Sequence, residues 1–174
     1  MIRKIASVAV LALTLAGCAT ASRIDAAGDV HALLVAIRDN DKVAFDHYVD
    51  RRALKASLES KMMREVDKRD MDDGARAVAA LLAPGLADVA GDALLKPSVF
   101  RSAASYYGYT PDQPLPNQLA ISGALKHLPD GRVCATKKKD GPCLLVFTNR
   151  DGVWKLSGFE GELSDLRGKS RKAK

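Results

Sequence analysis

Apolar residues along this chain recur at two different periods. After Asp29, which can cap a helix, Val30, Leu33, Leu34 and Ile37 keep the i, i+3, i+4, i+7 spacing of one helical face. Asp41 suits the cap of a second helix carrying Val43, Ala44, Phe45 and Tyr48. Asp50 suits that of a third, in which Leu54, Leu58, Met62 and Val66 recur every four residues between charged positions. From Asp72 to Leu95 the chain is rich in Ala and Leu, and Pro84-Gly85 divides it into two packed helices. Pro97 fits the first turn of another helix, with Val99, Phe100 and Ala103 as its apolar side. Residues 106–118 read as a loop, and Ile121, Ala124, Leu125 and Leu128 as one further helical turn. The period then falls to two. Arg132–Lys137, Cys143–Asn149 and Val153–Phe159 alternate as strands, and Asp151-Gly152 is a two-residue hairpin turn. That turn sets Asn149 opposite Trp154, Phe147 opposite Leu156 and Leu145 opposite Gly158, so Cys143, Leu145, Phe147, Trp154 and Leu156 share one sheet face. The fold class expected is α+β, with N-terminal short helices packed on a C-terminal three-stranded antiparallel meander.

The start of the chain obeys neither period. Arg3 and Lys4 precede an apolar run from Ile5 to Leu15, too short to cross about 30 Å of hydrocarbon as a helix and shaped like a cleaved export leader. Leu15-Ala16-Gly17-Cys18 resembles the lipobox at which bacterial processing attaches diacylglycerol to the cysteine thiol, cuts before it and acylates the new amino terminus. The expected organisation is therefore a lipoprotein signal peptide (1–17), an acylated tether (18–28), a single α+β domain (29–166) and a basic disordered tail (167–174). Multiple acyl chains hold a protein on a bilayer stably where one chain is marginal. Ala19 stands where an aspartate would retain the protein at the inner membrane, so the expected location is the outer membrane, facing the periplasm.

Composition sharpens this picture. With 174 residues, 47% of them hydrophobic and 28% charged, the chain has enough apolar material for one packed domain and is not disordered throughout. Its net charge of +6 falls by two when Arg3 and Lys4 leave with the leader. Export separates the remaining positive charge from nucleic acid, so the anionic neighbours expected are envelope surfaces, met first by the tail from Arg167 to Lys174. Apart from Cys18 the only thiols are Cys134 and Cys143, an even number in an oxidising compartment, which implies a disulfide. A tight Asp140-Gly141 turn would leave them roughly 13 Å apart. A four-residue loop at Lys137–Asp140 instead sets them directly opposite. A redox or metal pair lacks close Cys-x-x-Cys spacing and a neighbouring histidine.

Catalytic motifs are absent: the chain has no nucleophile elbow, phosphate-binding loop or His-Glu-x-x-His. No catalytic residue, metal or cofactor is assigned. Three functions remain to be weighed. The first is a lipid-anchored periplasmic binding or scaffold domain, its protein partner unspecified. The second is a carrier of a small apolar molecule or lipid in a helix–sheet cavity lined by Leu81, Leu82, Leu86 and Phe147. The third is a hydrolase using His31 and His47, brought together across a helix pair. The stretches Ala32-Leu-Leu-Val-Ala-Ile-Arg-Asp-Asn-Asp, Tyr48-Val-Asp-Arg-Arg-Ala-Leu-Lys-Ala-Ser-Leu and Gly152-Val-Trp-Lys-Leu, taken with the leader, resemble the bacterial domain of unknown function 2939 family. That resemblance implies an exported α+β domain and carries over no catalytic residue. Mass analysis of the mature protein is expected to find a triacylated Cys18 at its amino terminus, and Cys18→Ser to abolish both processing and bilayer attachment.

Overall fold

The computed structural model describes residues 2–67, 85, 89, 91–93, 95–106, 109–136 and 141–160. Among the described residues the helices whose bounds are defined are α1 (Ile2–Asp39), α2 (Lys42–His47), α3 (Arg51–Asp67), α4 (Pro97–Tyr106) and α5 (Gln118–Ala124), which precede or flank a sheet. The strands are β1 (Leu125–His127), β2 (Val133–Thr136), β3 (Cys143–Arg150) and β4 (Val153–Phe159), antiparallel and in the order β1-β2-β3-β4. The architecture is α+β, with four strands where the alternation pattern predicts three. Leu125 makes the difference. Asn117 caps α5 by accepting from the Ala120 amide at 2.9 Å, and after seven residues the backbone at Leu125 turns extended and pairs with Ala135. Leu125 is buried, and an apolar residue suits a last helical turn as well as the first position of a strand, so its character does not distinguish the two.

The first helix is long rather than short, and Asp29 lies inside it instead of capping it. Residues 19–28, read from their small polar composition as a tether, are helical, and Ala26 and Ala27 are fully buried. Ala26 continues the spacing of Val30 and Leu33 by one turn towards the amino terminus. Small side chains here let α1 lie close against its neighbours, and α1 touches α2, α4, α5 and all of β1, β2 and β4. Among the described residues no helix is long and apolar enough to cross a membrane.

The expected helix caps form where side chains meet free amides. Asp41 Oδ1 accepts from Val43 and Ala44, and Asp50 Oδ1 from Ala53. On α2, Phe45 is fully buried and Ala44 packs against the core beside it, whereas Val43 is 82% exposed. Most of the Ala/Leu stretch from Asp72 to Leu95, its Pro84-Gly85 division and the tail at 167–174 lie outside the described residues, as does the Lys137–Asp140 loop.

Asp151 and Gly152 both adopt positive φ, 54° and 85°, the conformation a tight hairpin turn demands. Asn149 then pairs with Trp154 and Phe147 with Leu156, as the turn predicts. Beyond them a bulge intervenes: Val146 pairs with Gly158 and Leu145 with Phe159, leaving Ser157 as the extra residue. Both Val146 and Phe147 are consequently buried, on opposite faces of the sheet.

Cys134 and Cys143 form a disulfide with 5.5 Å between their Cα atoms. They are not directly opposite. Cys134 pairs across the ladder with Val146, and Cys143 with Thr136 past a second irregularity that leaves Leu144 unpaired. The same shift turns Cys143 towards Cys134, on the face away from the helical core, rather than into line with Leu145 and Phe147. Closing a loop of this length stabilises by roughly 2–3 kcal/mol.

A short parallel bridge continues the sheet beyond β4. The Asp50 amide donates to Leu156 O and the Leu156 amide to Tyr48 O, each at 2.9 Å. On the inner face, Trp154 joins the sheet to α1. Its indole Nε1 donates to Asp25 Oδ2 and its backbone amide to Asp29 Oδ2, both at 2.7 Å. Trp154→Phe is expected to lower unfolding stability by about 2 kcal/mol through loss of a hydrogen bond to a charged acceptor. Asp25→Asn, which keeps an acceptor oxygen, should cost less; urea denaturation measures both.

Candidate binding pocket

Leu54 and Leu58, one turn apart on α3, face the end of the sheet without closing on it. An apolar pocket of about 220 Å³ remains between them, Leu95 just before α4, Val99 and Phe100 on α4, and Leu145, Leu156 and Phe159 of the sheet. Apolar cavities of about 150 Å³ are large enough to take up benzene and stay dry without it. The walls are held independently of any occupant. Ser57 Oγ accepts from the Phe159 amide at 3.2 Å, tying α3 to β4, and Arg51 Nη2 donates to Leu95 O at 2.8 Å, tying α3 to the segment before α4. Phe100 leans on the buried Phe45, ring centroids 5.3 Å apart.

Two lysines edge this region. Lys55 lines the pocket with its methylene stem while its Nζ reaches Asp92 Oδ1 at 2.8 Å. Lys61 Nζ lies 5.3 Å above the Phe159 ring and donates to Glu160 O at 2.8 Å. The hydrogen bond from Lys55 holds the Asp92 carboxyl below its usual range. A depressed acid contributes above its ordinary titration range and loses that contribution as pH falls through its folded value, so the pair persists into mild acid. Lys55 is the one ionisable group among the described lining residues. The arrangement can bind an apolar group; beyond Lys55, its described lining residues are apolar.

Of the cavity residues expected from sequence, Leu81, Leu82 and Leu86 lie outside the described residues. Phe147 does not line the pocket. It pairs with Val133 and Leu156 inside the packed core, where it is 2% exposed. Cys18 lies within α1. His47 is exposed and packs edge-on against Tyr48, whereas His31 is half-buried on α1. Among the described residues no group of three His, Cys, Asp or Glu side chains could hold a metal ion. The pocket residues that sequence reasoning missed were each visible as helix or strand positions. Leu54 with Leu58, and Val99 with Phe100, read as core stripes, and nothing in their spacing says that the stripes meet around a void.

A family model described as "Protein of unknown function (DUF2939)" matches residues 11–103, from within α1 to within α4. The match takes in the helical wall of the pocket and ends before the sheet. No curated protein and no solved structure matches the chain.

Gly91 sets how closely the Lys55 stem approaches. A Cβ at this position would fall 2.7 Å from Lys55 Cγ and 3.0 Å from its Cε. Gly91→Ala is expected to displace Lys55, weaken its pair with Asp92 and cost about 1–2 kcal/mol. Adding Lys55→Ala should recover most of that loss, which a double-mutant cycle in urea will measure.

Proposed function

The chain belongs to the DUF2939 family, and from that premise we propose that it is a lipid-anchored binding domain of the bacterial envelope that takes up a small apolar molecule or the apolar part of a lipid. The single observation that carries this reading is the pocket between α3, α4 with the segment before it, and the end of the sheet. Its walls are apolar and cross-braced by hydrogen bonds, and it opens beside cationic side chains. Those properties suit an amphiphile whose hydrocarbon enters and whose polar end stays at the rim. The Leu15-Ala16-Gly17-Cys18 sequence supports anchoring at Cys18, and Ala19 supports delivery to the outer membrane, facing the periplasm. An anchored carrier would meet its ligand by extraction from, or delivery to, the bilayer at its feet. A scaffold role needs a protein partner and no pocket.

Photo-crosslinking in intact cells separates the two. A benzoylphenylalanine replacing Phe100 is expected to yield an adduct carrying a fatty acyl chain, identified by mass spectrometry. The same probe replacing Leu119, which is 79% exposed on α5, should not. Leu58→Trp, which fills the pocket, should reduce the Phe100 adduct at least fivefold. A Phe100 adduct consisting of protein, or acyl adducts equal at both positions, would overturn the carrier reading.

A further inference from the structure

α3 presents a second concavity on another face. Val49, Asp50, Arg51, Arg52, Arg150 and Lys155, with Ala53 and Ala56, line an open cleft of about 720 Å³. Four cations share it with one carboxylate. Arg51 is fixed in place, with Nε and Nη2 donating to Asp46 Oδ1 at 2.9 and 2.6 Å. The Asp50 carboxylate is already engaged, capping α3 at Ala53 and standing 3.5 Å from Arg150 Nε. Neither Arg52 nor Lys155 forms an ion pair among the described residues. The cleft therefore keeps positive charge beyond what its own acids neutralise.

Like charges gathered around a concavity repel one another, and low-dielectric walls focus their field outward, so an anion entering gains from the charge of Arg52 and Lys155, which no acid of the cleft neutralises. Planar guanidinium groups match the oxygen spacing of phosphate in particular, and Arg52 and Arg150 bring two of them to the cleft beside Lys155. We infer that this cleft binds a phosphate group, carried by an envelope lipid headgroup or free in solution. The inference is independent of the apolar pocket; only the lipid source leans on anchoring at Cys18.

The full chain, held in uncharged maltoside micelles and isotopically labelled, provides the test. Signals of the Arg52 and Arg150 guanidinium groups and of the Lys155 amide are followed while inorganic phosphate is added. In parallel, phosphatidylglycerol or diacylglycerol is doped into the micelles. A saturable shift with phosphate or with phosphatidylglycerol, weakening as ionic strength rises and absent with diacylglycerol and with chloride, is the expected result. A response to inorganic phosphate assigns the free ion, and a response to phosphatidylglycerol alone assigns the headgroup. In Arg52→Gln/Lys155→Gln the half-saturating concentration, read at Arg150, should rise at least fivefold. Arg64→Gln/Lys126→Gln, which removes the same charge elsewhere, should change it less than twofold. Emission from Trp154 confirms that each variant is folded. Should the cleft double variant fail to fold, Lys155→Gln alone is expected to raise the concentration at least twofold. No saturable shift with either phosphate source, or an equal loss in the two double variants, overturns the proposal.

Discussion

Two carboxylates one turn apart on α1 grip a single residue of β4, and the rest of the molecule is arranged around that grip. Asp25 takes the indole N–H of Trp154 and Asp29 its backbone N–H, joining positions more than 120 residues apart in sequence. Each bond has a charged acceptor and is about twice as strong as a neutral one. Together they fix α1 in both height and rotation over the sheet. With α1 so placed, the side facing the sheet must be narrow, and Ala26, Ala27 and Ala36 supply that narrowness. Larger side chains at these positions would hold the helix off and pull the carboxylates away from Trp154.

From Trp154 the constraint passes along β4. Leu156, two residues on, is buried and exchanges backbone bonds with Tyr48 and Asp50, which brings the start of α3 to the outer edge of the sheet. Ser57 repeats the attachment two turns later, at Phe159. α3 is therefore pinned at the middle and at the far end of β4 and shows a different face to each side. Leu54, Lys55 and Leu58 turn to the apolar pocket, while Arg52, Ala53 and Ala56 turn to the cationic cleft. A helical period of 3.6 residues makes this division possible in a span of seven residues.

The extent to which this could be read from the sequence follows the range of the interactions. Caps at Asp41 and Asp50 and the turn at Asp151-Gly152 depend on neighbours within four residues, and they form as expected. The pairing of Asn149 with Trp154 follows from the turn alone. The register fails beyond Phe147 and Leu156, because a bulge at Ser157 responds to packing and not to turn chemistry. The diagonal course of the Cys134–Cys143 bridge has the same origin, in the unpaired Leu144. Residues 19–28 were misjudged for a related reason: alanine is equally at home in a linker and in a close helix contact, and only the distant Trp154 decides between them. Pocket and cleft are further removed still. Each is the space left where elements distant in sequence meet, so its residues carry no local signature.

The margins of the sheet have a consequence for how these molecules behave when concentrated. At one side the outermost strand, Leu125–His127, is three residues long and carries an exposed lysine at its centre. At the other, the Tyr48–Asp50 segment already occupies part of the β4 ladder. Unpaired amides and carbonyls in long flat rows are what allow one chain to template the next. Here both rims are cut short, so crowding along a surface would not by itself seed growth of the sheet from molecule to molecule.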